Sequence, residues 1–131
     1  MIVVAVMAIL ASIAIPQYTQ YILRGKIADG LSGLMKLQLK LENYYQDNRV
    51  YGAGGNCAIN VSTFNTPNFT YSCTTSNSDQ NFTLTATGTG NATGFSYSIN
   101  DTGTKSTITV GGSWSGAGSS CWVTRASGAC S

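Results

Sequence analysis

The sequence predicts an α+β fold: a long N-terminal α-helix, apolar in its first half, packed on a four-stranded antiparallel β-sheet and followed by a C-terminal disulfide loop. Three observations predict it. Residues 1–15 are apolar on every face except at Ser12, residues beyond 22 carry an apolar stripe at helical spacing, and from Phe69 the spacing drops to two.

The opening run, Met1 to Ile15, holds Ser12 as its one polar residue, and a hydroxyl can bond back to its own helix. A soluble helix keeps one polar side, so a helix apolar all round must be covered by protein or lipid. At 1.5 Å per residue the run spans about 22 Å, slightly short of the ~20 residues that cross a bilayer. A cleaved signal peptide would place a basic region before such a run and a small-residue cleavage site after it. Here Met1 opens directly into apolar residues, and helix-forming sequence continues beyond Ile15-Pro16-Gln17-Tyr18.

Pro16 lacks an N–H and clashes with the preceding turn, which predicts a kink or local melting of the helix there. Beyond it, Ile27, Leu31, Leu34, Leu41 and Tyr45 form one stripe, widened by Leu37 and Tyr44. Arg24, Lys26, Lys36 and Lys40 lie mostly off the stripe. Gly25, Gly30 and Gly33 each cost about 1 kcal/mol relative to alanine inside a helix, so they mark close helix–helix approach or flexibility. The helix is expected to reach about Asn48, with Gly52, Gly54 and Gly55 ending it.

Residues 49–68 read as a loop rich in glycine and asparagine. Four segments then alternate: Phe69–Cys73, Phe82–Ala86, Phe95–Ile99 and Ser106–Val110. Strands with every second residue apolar have one buried and one wet face, and the helical stripe supplies the cover. The chain therefore divides into an apolar helical segment 1–22 and a globular domain 23–131. The domain comprises an amphipathic helix 23–48, a loop 49–68, a sheet 69–111 and a C-terminal disulfide loop 112–131.

Composition narrows the chemistry. Charged residues make up 9% of the chain, well below the roughly 25% of an ordinary globular protein, with neutral polar residues in their place. That surface suits dense packing against copies of the same chain. A net charge of +2 is too small to argue for nucleic acid. Histidine is absent, which removes the commonest general base and metal ligand. Glu42 is the sole glutamate, and Asp79 and Asp101 have no motif around them, so neither a catalytic nor a metal site is expected.

The four cysteines, Cys57, Cys73, Cys121 and Cys130, lie beyond the helix and form no CxxC pair, which favours two disulfides and an oxidising compartment. Three connectivities exist. Cys57–Cys73 and Cys121–Cys130 are expected because each closes a short loop. Trp122 is expected to anchor the C-terminal loop, with its indole packed under the hairpin of the last strands.

Taken together, the peg ending Ala11-Ser-Ile-Ala-Ile-Pro16-Gln-Tyr18, its amphipathic continuation, the small sheet and the Cys121-Trp-Val-Thr-Arg-Ala-Ser-Gly-Ala-Cys130 tail resemble a type IV pilin of the a-type subgroup of Gram-negative bacteria. The resemblance is closest to a major pilin subunit and is strongest in residues 1–25 and 120–131. Family members begin with an N-methylated aromatic residue and carry a glutamate in the first turn. On the register of the peg that glutamate falls two residues before Met1, so the chain is expected to omit about the first six mature residues.

The resemblance implies a structural subunit that polymerises through its N-terminal helix into an extracellular filament for adhesion and twitching motility, with DNA uptake as a further role some members of the family have. It implies Met1, Val4, Ala5, Ala8, Ala11, Ser12 and Ile15 as filament-core packing residues. The implied partners are many copies of the same chain, the inner membrane before assembly and the pilus assembly machinery. Before assembly the domain would stand in the periplasm. No cofactor, no small-molecule substrate and no enzymatic activity are expected, and nucleic acid is an improbable partner on the charge available. The alternative within the same fold is a minor pilin or a type II secretion pseudopilin. A pseudopilin would lack the disulfide loop and carry a calcium site in its place.

Overall fold

A computed structural model describes residues 1–130. One α-helix, α1, runs from Ile2 to Asn48, and six strands follow: β1 (Gly52–Ala53), β2 (Asn56–Cys57), β3 (Phe69–Ser76), β4 (Asn81–Gly88), β5 (Ser96–Asn100) and β6 (Lys105–Thr109). The strands form one sheet in the order β1-β2-β3-β4-β5-β6, each antiparallel to its neighbour. The four predicted strands are therefore joined by two more. β1 and β2 form a two-residue ladder inside the segment expected to be loop, too short and too rich in glycine to leave a period of two.

α1 is continuous through Pro16, so the isolated subunit shows no melted turn there. A proline removes one donor from a ladder that continues on both sides, and cooperativity over so long a helix absorbs that loss. Two hydroxyls near Pro16 bond back to carbonyls of their own helix: Ser12 Oγ donates to the Ile9 carbonyl at 2.7 Å and Thr19 Oγ1 to that of Pro16 at 2.9 Å. The helix ends at Asn48, where it was expected to end, but on Arg49 rather than on a glycine. Arg49 takes the left-handed conformation (φ 60°) and its N–H bonds the Tyr45 carbonyl at 2.7 Å.

The buried face of α1 is Ile27, Gly30, Leu31, Gly33, Leu34, Leu37 and Leu41. It lies on the inward rows of the sheet, where Tyr71 faces Ala86 and Ala86 faces Tyr97, while Leu84 faces Ile99. Gly30 and Gly33 serve helix–sheet contact. A Cβ on Gly30 would lie 2.5 Å from Cδ2 of Phe69, and one on Gly33 would collide with the Tyr71 hydroxyl. Gly25, by contrast, has open space around it.

β6 departs from its alternation. Ser96 pairs with Thr109 and Tyr97 with Thr107, so Ile108 is the extra residue of a bulge. Thr107 consequently points inward and is fully buried, while Ile108 is 46% exposed. The buried hydroxyl is used: Thr107 Oγ1 donates to the Cys121 carbonyl at 2.6 Å and accepts the Val123 N–H at 2.9 Å. An apolar residue there would leave the C-terminal segment without these partners.

Candidate functional site

The feature that dominates the surface is the first part of α1. Every residue from Met1 to Thr19 is exposed, including all seven packing candidates Met1, Val4, Ala5, Ala8, Ala11, Ser12 and Ile15. Val3, Val4, Met7, Ile9, Leu10, Ile13 and Ile15 are each about 60–70% exposed, an apolar area far above what a soluble monomer normally shows. By length and composition the helix can cross a membrane, and its most apolar stretch buries nothing inside the subunit. None of the residues in that stretch belongs to the buried core.

Where the domain begins, one bond joins distant parts of the chain. Trp114 Nε1 donates to Gln20 Oε1 at 3.0 Å. Trp114 also meets Phe95 edge to face, ring centroids 4.9 Å apart. This contact sets how far along α1 the domain starts, and the sequence carries no signal for it.

The far end of the domain is organised by Asp79. Its carboxylate accepts the N–H groups of Gly54 (3.1 Å) and Gly55 (3.2 Å) and the Thr75 hydroxyl. It sits in a β3–β4 turn in which Asn77, Ser78 and Asp79 all have positive φ, a conformation that asparagine and aspartate tolerate better than most residues. The Thr75 hydrogen bond, helped by the two glycine N–H groups, holds the Asp79 carboxyl below its ordinary 3.8. Gln80, next in the turn, donates to the Arg49 carbonyl at 2.9 Å and accepts from Tyr45 Oη at 3.1 Å. Asp101 is likewise engaged, accepting from Asn81 Nδ2 at 2.9 Å. Both carboxylates hold loops.

Glu42 is reached by the Tyr51 hydroxyl at 3.3 Å from each oxygen. Burial, then the Glu42 charge, pushes the Tyr51 phenol up to about 12. Burial also raises Tyr71 and Tyr97, whose hydroxyls donate to the carbonyls of Gly30 (3.0 Å) and Val123 (2.9 Å). Such phenols stay protonated and act as donors. Among the described residues no group of three or more His, Cys, Asp or Glu could hold a metal ion.

Cys57 bonds Cys73, tying β2 to β3, and Cys121 bonds Cys130, closing the tail. Trp122 is 2% exposed; its Nε1 donates to the Ser98 carbonyl at 2.9 Å, and Lys105 Nζ lies 4.6 Å from its ring centroid. Both Trp122 and Val123 are buried, so the segment does not alternate strictly, and an isolated bridge pairs Val123 with Cys130. The Tyr97 and Thr107 hydroxyls add bonds to Val123 and Cys121 that no local pattern announces.

Residues 16–104 match the family described as "Type IV minor pilin ComP, DNA uptake sequence receptor". A curated relative, the type IV major fimbrial protein FimA of Dichelobacter nodosus, is 41% identical over 61 residues, which is 47% of this chain. That match spans 38% of the relative's length. Among solved structures, a type IV pilin from Shewanella oneidensis superposes with a TM-score of 0.50 at 21% identity, covering 63% of this chain and 89% of that one. At that identity the likeness is one of fold.

Proposed function

The chain belongs to the type IV pilin family, and on that premise we propose that it is a structural subunit of a type IV pilus, polymerising through its N-terminal helix into an extracellular filament used for adhesion and twitching motility. One observation carries the proposal: the first 19 residues are exposed, the first 15 of them apolar but for Ser12, while the buried core of the domain includes none of them.

Before assembly the apolar segment resides in the inner membrane and the disulfide-bonded domain in the periplasm. Assembly moves the segment from lipid into a bundle of identical helices. Surface already out of water stays out of water, so the net gain comes from close packing, which Ala5, Ala8, Ala11 and Ser12 permit. A contact that repeats without closing a ring makes an open helical fibre. The subunit supplies a recurring contact and no chemistry.

The similarity to a major fimbrial protein favours a shaft subunit. The family description favours a second reading, a minor pilin that contacts DNA. Against strong DNA affinity stand the few cations of the sheet and tail, Lys105 and Arg125, with Lys105 already seated on the Trp122 ring. Phosphate binding draws on several clustered cations.

The two readings separate by stoichiometry. Quantitative mass spectrometry of sheared, washed filaments finds this chain as the main component if it builds the shaft. A trace amount, together with a gel shift of duplex DNA at low salt, establishes the minor-pilin reading. Absence from filaments refutes both.

A further inference from the structure

Just past the apolar run Met1–Ile15, α1 presents a collar of aromatic and basic residues. Tyr18 and Tyr21 are 66% and 75% exposed, and Arg24 and Lys26 follow. Residues 16–28 hold no carboxylate, so this stretch of helix has one sign of charge. Gln20 lies at its centre, fixed by Trp114. Two open clefts flank Gln20: one of about 480 Å³ with Gln17, Tyr21 and Arg24 on its walls, and one of about 300 Å³ with Lys26 and Asn91. Asn91 belongs to the 3-10 turn Gly90–Ala92, which makes it the domain's own contribution to the collar.

The spacing along the axis matches a membrane boundary. If the hydrocarbon ends near Pro16, Tyr18 and Tyr21 stand about 3 and 8 Å beyond it, inside a headgroup layer ~5–7 Å deep on each side or at its outer edge. Arg24 stands about 12 Å beyond, but helical side chains lean toward the N-terminus, here toward the bilayer, and a long basic stem snorkels in that direction. Tyrosine favours that interface because its ring is apolar and its hydroxyl wet.

We propose that Tyr18, Tyr21, Arg24, Lys26 and Asn91 form a seat for the phosphodiester headgroups of anionic phospholipids, which holds the base of the globular domain against the bilayer before assembly. The proposal rests on the membrane-anchored reading above and adds a lipid preference to it. In the seat, the two cations approach headgroup phosphates while Gln17, Gln20 and Asn91 offer neutral donors. The Trp114–Gln20 bond transmits the constraint to the loop Gly111–Ser115, so that the domain is held at one height and cannot swing freely. Leaving the membrane for a fibre then breaks these ionic contacts.

Amide hydrogen exchange on the full chain in lipid nanodiscs tests the proposal. In phosphatidylglycerol discs, peptides containing Gly90–Thr93 and Gly111–Ser115 are expected to exchange several-fold more slowly than in phosphatidylcholine discs. The protection is expected to vanish at high salt and in the double variant Arg24→Gln/Lys26→Gln, but to survive in Lys36→Gln/Lys40→Gln, whose cations lie farther up the helix. Equal exchange in the two lipids, or protection retained by the Arg24/Lys26 variant, overturns the seat. So does equal protection from inorganic phosphate added to phosphatidylcholine discs, which would mean a phosphate pocket indifferent to lipid. A chain that fails to stay in discs of either lipid overturns membrane anchoring itself.

Discussion

The hydroxyl of Tyr71 donates to the main-chain carbonyl of Gly30 at 3.0 Å, across the contact between helix and sheet. The ring reaches that carbonyl only because Gly33, beside it, has no side chain. Gly30 plays the same part for Phe69. Gly30→Ala and Gly33→Ala are therefore expected to destabilise the domain by about 1–3 kcal/mol, the usual cost of overpacking, despite a gain of about 1 kcal/mol in helix propensity. Gly25→Ala, facing open space, is expected to be neutral or stabilising. Urea unfolding of the full chain in detergent micelles distinguishes the three; equal effects at all three positions would refute the assignment.

Trp122 is expected to behave as core. Trp122→Ala removes a large buried side chain and is expected to cost about 3–5 kcal/mol. Trp122→Phe keeps most of the packing, loses the bond to Ser98 and is expected to cost considerably less. Unchanged unfolding in the alanine variant, with filament formation lost, would instead place Trp122 in a contact between subunits.

The Asp79 network gives a pH dependence of definite sign. Its folded carboxyl titrates below the ordinary 3.8, chiefly through the Thr75 hydrogen bond, so its contribution to stability is fully present above pH 3.8. It is lost as pH falls through the lower folded value. Gly54 and Gly55 are expected to show faster amide exchange, relative to the rest of the sheet, as that range is crossed. Asp79→Asn is expected to show the faster exchange already at neutral pH and to remove its pH dependence. Gly54 and Gly55 amides in that variant as protected as in the parent at neutral pH would contradict this role.

Long-period features were legible in the sequence and short-range exceptions were not. The stripe Ile27, Leu31, Leu34, Leu37 and Leu41 declared both the helix and its buried face, because apolar side chains repeat there through several turns. β3 to β5 followed from alternation for the same reason. β1 and β2, two residues each, are too short to have a period. The inward turn of Thr107 was hidden because a bulge shifts register by one residue, and β6 alone does not reveal its partner. At the candidate site, the exposed apolar segment could be read directly from composition. The Gln20–Trp114 bond, between residues 94 apart, could not.

Pro16 leaves α1 intact in the isolated subunit, and the fibre is expected to differ. Lipid enforces backbone hydrogen bonds, because each unpaired group there costs several kcal/mol, whereas neighbouring subunits offer other partners. Residues from about Ala8 to Ile15 are proposed to lose helical bonds on assembly, since Ile15 precedes proline and Ile13 and Ile15 are β-branched. Extended backbone rises about 3.3 Å per residue against 1.5 Å in a helix, so such a segment lets the fibre lengthen. Pro16→Ala fibres are expected to be stiffer in force-extension measurements; unchanged stiffness would count against the segment.

The central claim, that the exposed apolar helix is the polymerisation element, is tested most directly by electron cryo-microscopy of filaments purified from cells producing this chain. The account predicts residues 1–22 packed side by side along the fibre axis, with the sheet and the Cys121–Cys130 loop facing outward. A fibre whose contacts run only between globular domains, with residues 1–22 at its surface, would contradict it.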